Sequence, residues 1–360
     1  MPHISINGAG GPLSISYTIS TPASPSAKAV DPALPTVVLL HALHMGQHSF
    51  HRQFNDAQLR RFNLVALDYR GHGDSEGSIK ETYGVAEAAD DVVQFLDALR
   101  LPPVHLVGVS MGSLVALELA NTWPQRVISL SLVAPPAMLE FLWLPGVAEG
   151  RREIFSCWVA AFQDTDLSGQ TDETALLDAV CGVLQLGVNN MPDPMLAACA
   201  SLLNSPLSLA TRPRRLLMRH SLPLAIRRLA VPPEHRDCYQ ISVAFFTERT
   251  RPTLSGIACP VQLIHCGEDI AYTEEHTVEL LDALRAAGVD ARMHAVPDAP
   301  QWGNITHSAQ INPLIYDMVM ECAPERNIPP ALKTSVVSPF EAALVAAGMP
   351  QDDDSDSDGL

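Results

Sequence analysis

The sequence contains no G-x-G-x-x-G and no G-x-x-x-x-G-K-[ST]. Both glycine-rich phosphate cradles are therefore missing, and no nucleotide cofactor is expected. Positive charge is scarce: 23 Lys and Arg stand against 40 Asp and Glu, a net charge of -17 over 360 residues. Nucleic-acid binding draws on basic side chains that neutralise phosphates, so this balance excludes it as a partner. Five of the negative charges are Asp352, Asp353, Asp354, Asp356 and Asp358, and without them the net is -12. Asp354, Asp356, Asp358 and Gly359 imitate the opening of a calcium loop. That loop needs a bidentate Glu at its twelfth position, which the sequence does not supply, so no metal is expected. The seven cysteines are odd in number and never spaced C-x-x-C, which reads as reduced core thiols and not as a disulfide framework or a zinc site. No apolar run is long enough to span a bilayer, so stable membrane insertion is not expected. The opening MPHISINGAGG has neither a basic n-region nor an apolar h-region. A secretory leader is therefore not expected, and a cytoplasmic location is.

With 47% hydrophobic and 18% charged residues, the chain can bury a large core. Two short strands are expected near Ile4–Ile6 and Leu13–Ile19, followed by a Pro/Ala/Ser loop. Strands and helices then alternate. Strands are expected at Thr36–His41, Asn63–Tyr69, Val104–Val109 and Val127–Val133. Helices are expected at Phe50–Arg61, at Val85–Arg100 and directly after Ser110. The alternation stops near Pro135 and Pro136. It resumes with strand Val261–His265, helix Glu274–Ala287 closed by Gly288, strand Ala291–Val296 and helix Asn312–Glu321. Short apolar strands alternating with helices predict an α/β fold, with a mostly parallel central sheet flanked by helices. The core is expected at residues 1–136 and 257–323. Between these blocks, 137–256 is rich in helical pattern and predicts a large helical cap over the carboxyl ends of the strands, where open α/β sheets bind ligands. Residues 324–360 read as an extension with one helix (Phe340–Ala347) and a disordered acidic end. Arg212, Arg214, Arg215, Arg219, Arg227 and Arg228 are interleaved with Leu, Met and Ile. They are expected to lie on cap helices as solvated arginines.

The most informative ten residues are VHLVGVSMGS, Val104 to Ser113. An apolar strand enters Gly108-Val109-Ser110-Met111-Gly112, and the helical pattern of Leu114, Val115, Leu117 and Leu119 follows at once. This is G-x-S-x-G in its strand–turn–helix context. The turn strains the serine, and Gly108 and Gly112 remove bulk where the chain crowds. The geometry would lift the Ser110 hydroxyl above the sheet edge and aim the Met111 N–H at a developing oxyanion.

Several motifs agree in order with this one. VVLLHALHMG, DYRGHGDSEG from Asp68 to Gly77, the turn around Ser110 and CPVQLIHCGED together resemble the α/β-hydrolase superfamily of lipases, esterases and epoxide hydrolases. The resemblance covers about residues 35–136 and 259–322. It implies an α/β-hydrolase fold and a chain order of nucleophile, acid and histidine. It further implies Ser110 as nucleophile, Asp269 as the orienting acid with Glu268 as rival, and N–H groups of Met111 and Leu43 as the oxyanion hole. Ala42 stands where the family has glycine. Its epoxide hydrolases and dehalogenases carry an aspartate at the nucleophile position, whereas a serine suits ester, thioester or lactone cleavage. The family histidine stands eleven residues before an Asn that opens the closing helix, and counting back from Asn312 lands on Gln301. Glutamine has no titratable proton acceptor and cannot serve as a general base. His307 is the nearby substitute base, and His44, beside the oxyanion loop, is a further alternative. His41 and His72 match loop positions and are expected to brace loops by hydrogen bonds. Two functions follow from these residues. One is a serine hydrolase acting on a small hydrophobic ester or acyl substrate through an acyl-enzyme. The other is a ligand-binding protein on the same scaffold, impaired in turnover because Gln301 replaces the base.

Overall fold

Side chains alternate direction along a strand, so strands buried on both faces must carry apolar residues at every position. The computed structural model describes residues 1–80, 83–139, 252–323, 328–331, 336–346 and 349–350, with scattered residues between 150 and 196. Within these, β1 (His3–Gly8), β2 (Gly11–Ser20), β3 (Thr36–Leu40), β4 (Asn63–Leu67), β5 (Val104–Val109), β6 (Val127–Val133), β7 (Val261–Cys266) and β8 (Ala291–Val296) form one sheet. Its order is β1-β2-β4-β3-β5-β6-β7-β8. The first two strands form an antiparallel hairpin, β2 pairs antiparallel with β4, and every pairing from β4 to β8 is parallel. This is the expected α/β architecture.

The two faces are built by strict alternation. Val37, Leu39, Val107 and Val109 face one core cluster, and Val38, Leu40 and Leu106 face the other. The helices, numbered in chain order, are α1 (His51–Phe54), α2 (Val85–Ala98), α3 (Met111–Thr122), α4 (Glu173–Val188), α5 (Glu274–Ala286), α6 (Gly303–Thr306), α7 (Ser308–Cys322) and α8 (Glu341–Ala346). Residues from α2, α3 and α5 cover the second face, and α7 and α8 cover the first.

Two helix expectations are corrected. The helix expected over Phe50–Arg61 is a one-turn α1 between two 3-10 turns, Gln47–Phe50 and Leu59–Arg61. A continuous helix would bond the Gln58 N–H to the Phe54 carbonyl. Instead the Asp56 Oδ1 accepts the N–H groups of Gln58 and Leu59, each at 2.9 Å, and the Arg60 guanidinium donates to the Phe54 carbonyl at 3.2 Å. The short side chain of Asp56 thus competes with the helix for its own backbone. The closing helix starts at Ser308, not Asn312, and runs through Pro313. Asn312 lies inside it, buried, accepting from Gln53 Nε2 at 2.8 Å.

Most of the expected cap lies outside the described residues, as do the arginines at 212–228 and the acidic residues at 351–360. The described part includes α4. No helix among the described residues is long and apolar enough to cross a membrane.

Candidate functional site

The parallel strands deliver their following loops to one edge of the sheet. Ser110 follows β5 and has φ 49° and ψ -115°, a strained conformation for a residue with a side chain. It is held from both sides: its N–H donates to the Val133 carbonyl at 2.9 Å, and its carbonyl accepts from Ser113 N–H at 2.8 Å. The two glycines of the motif are steric requirements. A Cβ on Gly112 would collide with the Leu40 carbonyl at the end of β3, and one on Gly108 would lie 2.5 Å from the Gly112 carbonyl oxygen. The tight junction keeps Ser110 only 4% exposed.

The loops after β7 and β8 are stitched together. Gly267 N–H donates to the Val296 carbonyl and Glu268 N–H to the Ala299 carbonyl, both at 2.9 Å. That seam places Gln301 at the serine: its Nε2 donates to Ser110 Oγ at 3.1 Å, and the residue is 6% exposed. Gln301 therefore stands where the family count places the histidine, although Asn312 does not open the helix. Asp269 is 8% exposed, and its Oδ1 accepts the N–H groups of Ala271 and Tyr272 at 2.8 and 3.1 Å. Glu268 is exposed. His307 stands at the N-terminal boundary of α7, with its Nδ1 2.8 Å from Thr306 Oγ1. The structure brings Gln301, not His307, into hydrogen-bond contact with Ser110.

The loop after β3 turns at Ala42–Met45, where the Met45 N–H donates to the Ala42 carbonyl at 3.1 Å. His44 holds the third position of that turn at φ 61°, a place that favours glycine. Leu43 precedes it. Among the described residues neither the Leu43 N–H nor the Met111 N–H is engaged in another hydrogen bond.

Behind this loop His41, Tyr69 and His72 form a buried cluster. Ring centroids lie 4.7 Å apart for His41 and Tyr69, and 5.1 Å for the two histidines. His41 Nε2 accepts the Tyr69 N–H at 3.2 Å while its Nδ1 meets the Ala42 carbonyl at 2.8 Å, and His72 Nδ1 meets the Arg70 carbonyl at 3.1 Å. Both imidazoles brace loops. Burial pulls His41 down to about 4 despite its bond to Ala42. Burial, reinforced by neighbouring His41, pulls His72 down to about 3. Both are neutral in the fold, whereas the unfolded chain protonates near 6.5. Their contribution to stability is therefore complete above that value and is lost as pH falls toward about 4, by about 1.4 kcal/mol per pH unit for each group. Asp68 acts oppositely, because burial raises its carboxyl against the bonds from Gln47. The expected result is a urea-unfolding free energy that drops between pH 7 and pH 5, with a shallower drop in His72→Phe. Superimposable profiles would refute this assignment.

Sequence patterns did not disclose what fastens α4 to the site. The Trp302 N–H donates to the Gly187 carbonyl at 2.8 Å, and Asn189 Nδ2 to the Glu268 carbonyl at 2.7 Å. A Cβ on Gly187 would lie 2.5 Å from the Trp302 indole, so the ring lies directly against the helix. Among the described residues no group of three or more His, Cys, Asp or Glu is placed to hold a metal ion.

Comparison with known proteins agrees with this fold. A family model of the alpha/beta hydrolase fold matches residues 35–167. Over 70 residues the chain is 49% identical to RutD of Variovorax paradoxus, named provisionally as a carbamate hydrolase; the match spans 19% of this chain and 26% of that protein. The enol-lactonase of Burkholderia xenovorans LB400 superposes with a TM-score of 0.57 at 22% identity, covering 89% of this chain and all (100%) of that one. The esterase EaEST of Exiguobacterium antarcticum gives 0.61 at 17% identity, covering 89% and 100%. At these identities the structural likeness speaks for the fold. The chain has the α/β-hydrolase fold, and residues 35–167 match that family's model.

Proposed function

We propose that the chain is a hydrolase that cleaves a small carboxylic ester or related acyl compound at Ser110. The observation that carries this reading is the strained junction itself, which puts a hydroxyl at the N-terminus of α3, next to the Met111 N–H, a donor without a partner among the described residues. Ser110 Oγ attacks the carbonyl carbon, and the Met111 and Leu43 N–H groups face the oxygen that takes up negative charge. Collapse breaks the bond to the leaving oxygen, which receives the serine proton. Water then reverses the sequence and releases the acid. Asp269 is the acid member of the set. Gln301 accepts no proton, so proton transfer runs through water, and the donors alone sustain roughly 10³–10⁴-fold acceleration over water. No cofactor enters. The carbamate role attached to RutD, 49% identical over 70 residues, supports an acyl substrate.

A second reading, binding of the same compounds without turnover, is favoured by the contact between Gln301 and Ser110. Hydrolysis of p-nitrophenyl acetate and butyrate separates the two. The hydrolase reading expects slow steady turnover that Ser110→Ala abolishes. Turnover equal in wild type and Ser110→Ala would overturn it and leave the binding reading.

A further inference from the structure

The end of α4 bonds to both loops that follow β7 and β8, and it does so at the peptides next to Asp269 and Gln301. Asn189, the first residue past α4, has φ 51°, a left-handed conformation that ends the helix and that asparagine tolerates better than most residues. Its N–H donates to the Gln185 carbonyl at 3.1 Å, and its side-chain Nδ2 donates to the Glu268 carbonyl at 2.7 Å. That carbonyl shares a peptide unit with the Asp269 N–H, which donates to the Cys266 carbonyl at 3.1 Å. A peptide unit is planar, so a bond at each end fixes the plane from which Asp269 departs. Two residues before Asn189, the Gly187 carbonyl accepts the Trp302 N–H at 2.8 Å, and this N–H belongs to the peptide that leaves Gln301. The bond from Glu268 N–H to the Ala299 carbonyl, at 2.9 Å, ties the two loops to each other. Leu186 adds apolar packing on Ala271 and Tyr272, directly after the acid. The close approach depends on Gly187, because a Cβ there would meet the Trp302 indole at 2.5 Å.

We infer that Asn189 is a positioning residue, which acts through the Glu268 carbonyl to hold Asp269 and the adjoining Gln301 loop in register with Ser110. The inference rests on the proposed reading that Ser110 is the atom that reacts. Asn189 is half-buried and Glu268 exposed, so water can replace their bond and its loss costs the fold little. The same loss frees the plane between Glu268 and Asp269 to turn. Misplacing a group near the reacting atoms lowers rate steeply even where stability hardly changes. The effect therefore falls on kcat, and the fold keeps its stability.

The experiment is steady-state hydrolysis of p-nitrophenyl butyrate by the full chain, comparing wild type, Asn189→Gly, Arg52→Ala and Ser110→Ala. Glycine keeps the left-handed turn and removes only the amide. Arg52→Ala breaks a different tie to the segment after α4, the ion pair with Asp193 at 2.8 Å, which involves neither loop. The expected result is that Asn189→Gly lowers kcat by about fivefold or more and leaves KM within about twofold, with an unchanged melting temperature. Arg52→Ala should keep kcat within about twofold of wild type. In a Gln301→His background, Asn189→Gly should also move the pH midpoint of kcat downward, because an imidazole whose carboxylate neighbour is no longer fixed holds its proton less tightly. An unchanged kcat in Asn189→Gly, an equal loss in Arg52→Ala or an unmoved midpoint would overturn the positioning role while leaving Ser110 as the reacting atom. Turnover indifferent to Ser110→Ala would overturn the proposed reading and this inference together.

Discussion

Replacing Gln301 with histidine is expected to raise the rate of p-nitrophenyl ester hydrolysis by about 10²–10⁴-fold, the usual yield of a positioned general base. The two side chains place their Nε2 atoms the same number of bonds from Cα, and the glutamine Nε2 already lies 3.1 Å from Ser110 Oγ. An imidazole there can take the serine proton during attack and return it to the leaving oxygen. Asp269 is fixed in the adjoining loop, and the seam between Glu268 N–H and the Ala299 carbonyl keeps the two loops in register. Adding Asp269→Ala to the Gln301→His variant should therefore remove a large part of the gain. Adding Ser110→Ala should remove all of it. A Gln301→His variant that folds normally and stays as slow as wild type would show that the loop does not present a base position to the serine.

Truncation of Asp91 to alanine is expected to destabilise the fold by about 3–5 kcal/mol, since it strands a buried guanidinium. Asp91 and Arg70 form a bidentate pair, Oδ2 to Nε at 2.9 Å and Oδ1 to Nη2 at 3.0 Å, with side chains 3% and 0% exposed. The remaining guanidinium donors go to the carbonyls of Pro12, Ser78 and Gly11, and Tyr83 Oη donates to the same carboxylate at 3.1 Å. Burial pushes the Asp91 carboxyl above its ordinary range, and the Arg70 bonds counter that. The cluster ties α2 to the loop at 68–78, whose Asp68 in turn fixes the Gln47 N–H at 2.7 Å, just past the loop that carries Leu43. Chemical denaturation reads the loss directly. A change under about 1 kcal/mol, the range of an exposed ion pair, would contradict this account of the cluster.

Legibility in the sequence followed how local the physics is. The parallel strands were readable because burial on both faces leaves runs such as Val37–Leu40 with no polar position. The serine junction was readable because Gly108 and Gly112 are demanded by contacts within a few residues and with the adjacent strand. The first helix was misread because Asp56 and Arg60 take over backbone groups that periodicity assigns to the helix. The closing helix was misplaced because Asn312 reads as a start signal, whereas in the fold it is a buried bridge to Gln53 and Asp56. The fastening of α4 through Gly187, Asn189 and Trp302 left no local trace. It joins segments far apart in the chain, Gly187 to Trp302 through backbone groups that any sequence possesses and Asn189 to Glu268, 79 residues on, through one side-chain amide. Gln301 is the instructive case: its position was legible by counting, but the direction of its bond to Ser110 needed the structure.

The account turns on Ser110 being the atom that meets an acyl group. Peptide mass mapping after prolonged incubation with a fluorophosphonate tests this most directly. The expected result is a slow phosphonyl adduct on the peptide carrying Ser110, formed faster in Gln301→His and absent from Ser110→Ala. An adduct on another residue, or none in either wild type or Gln301→His, would contradict it.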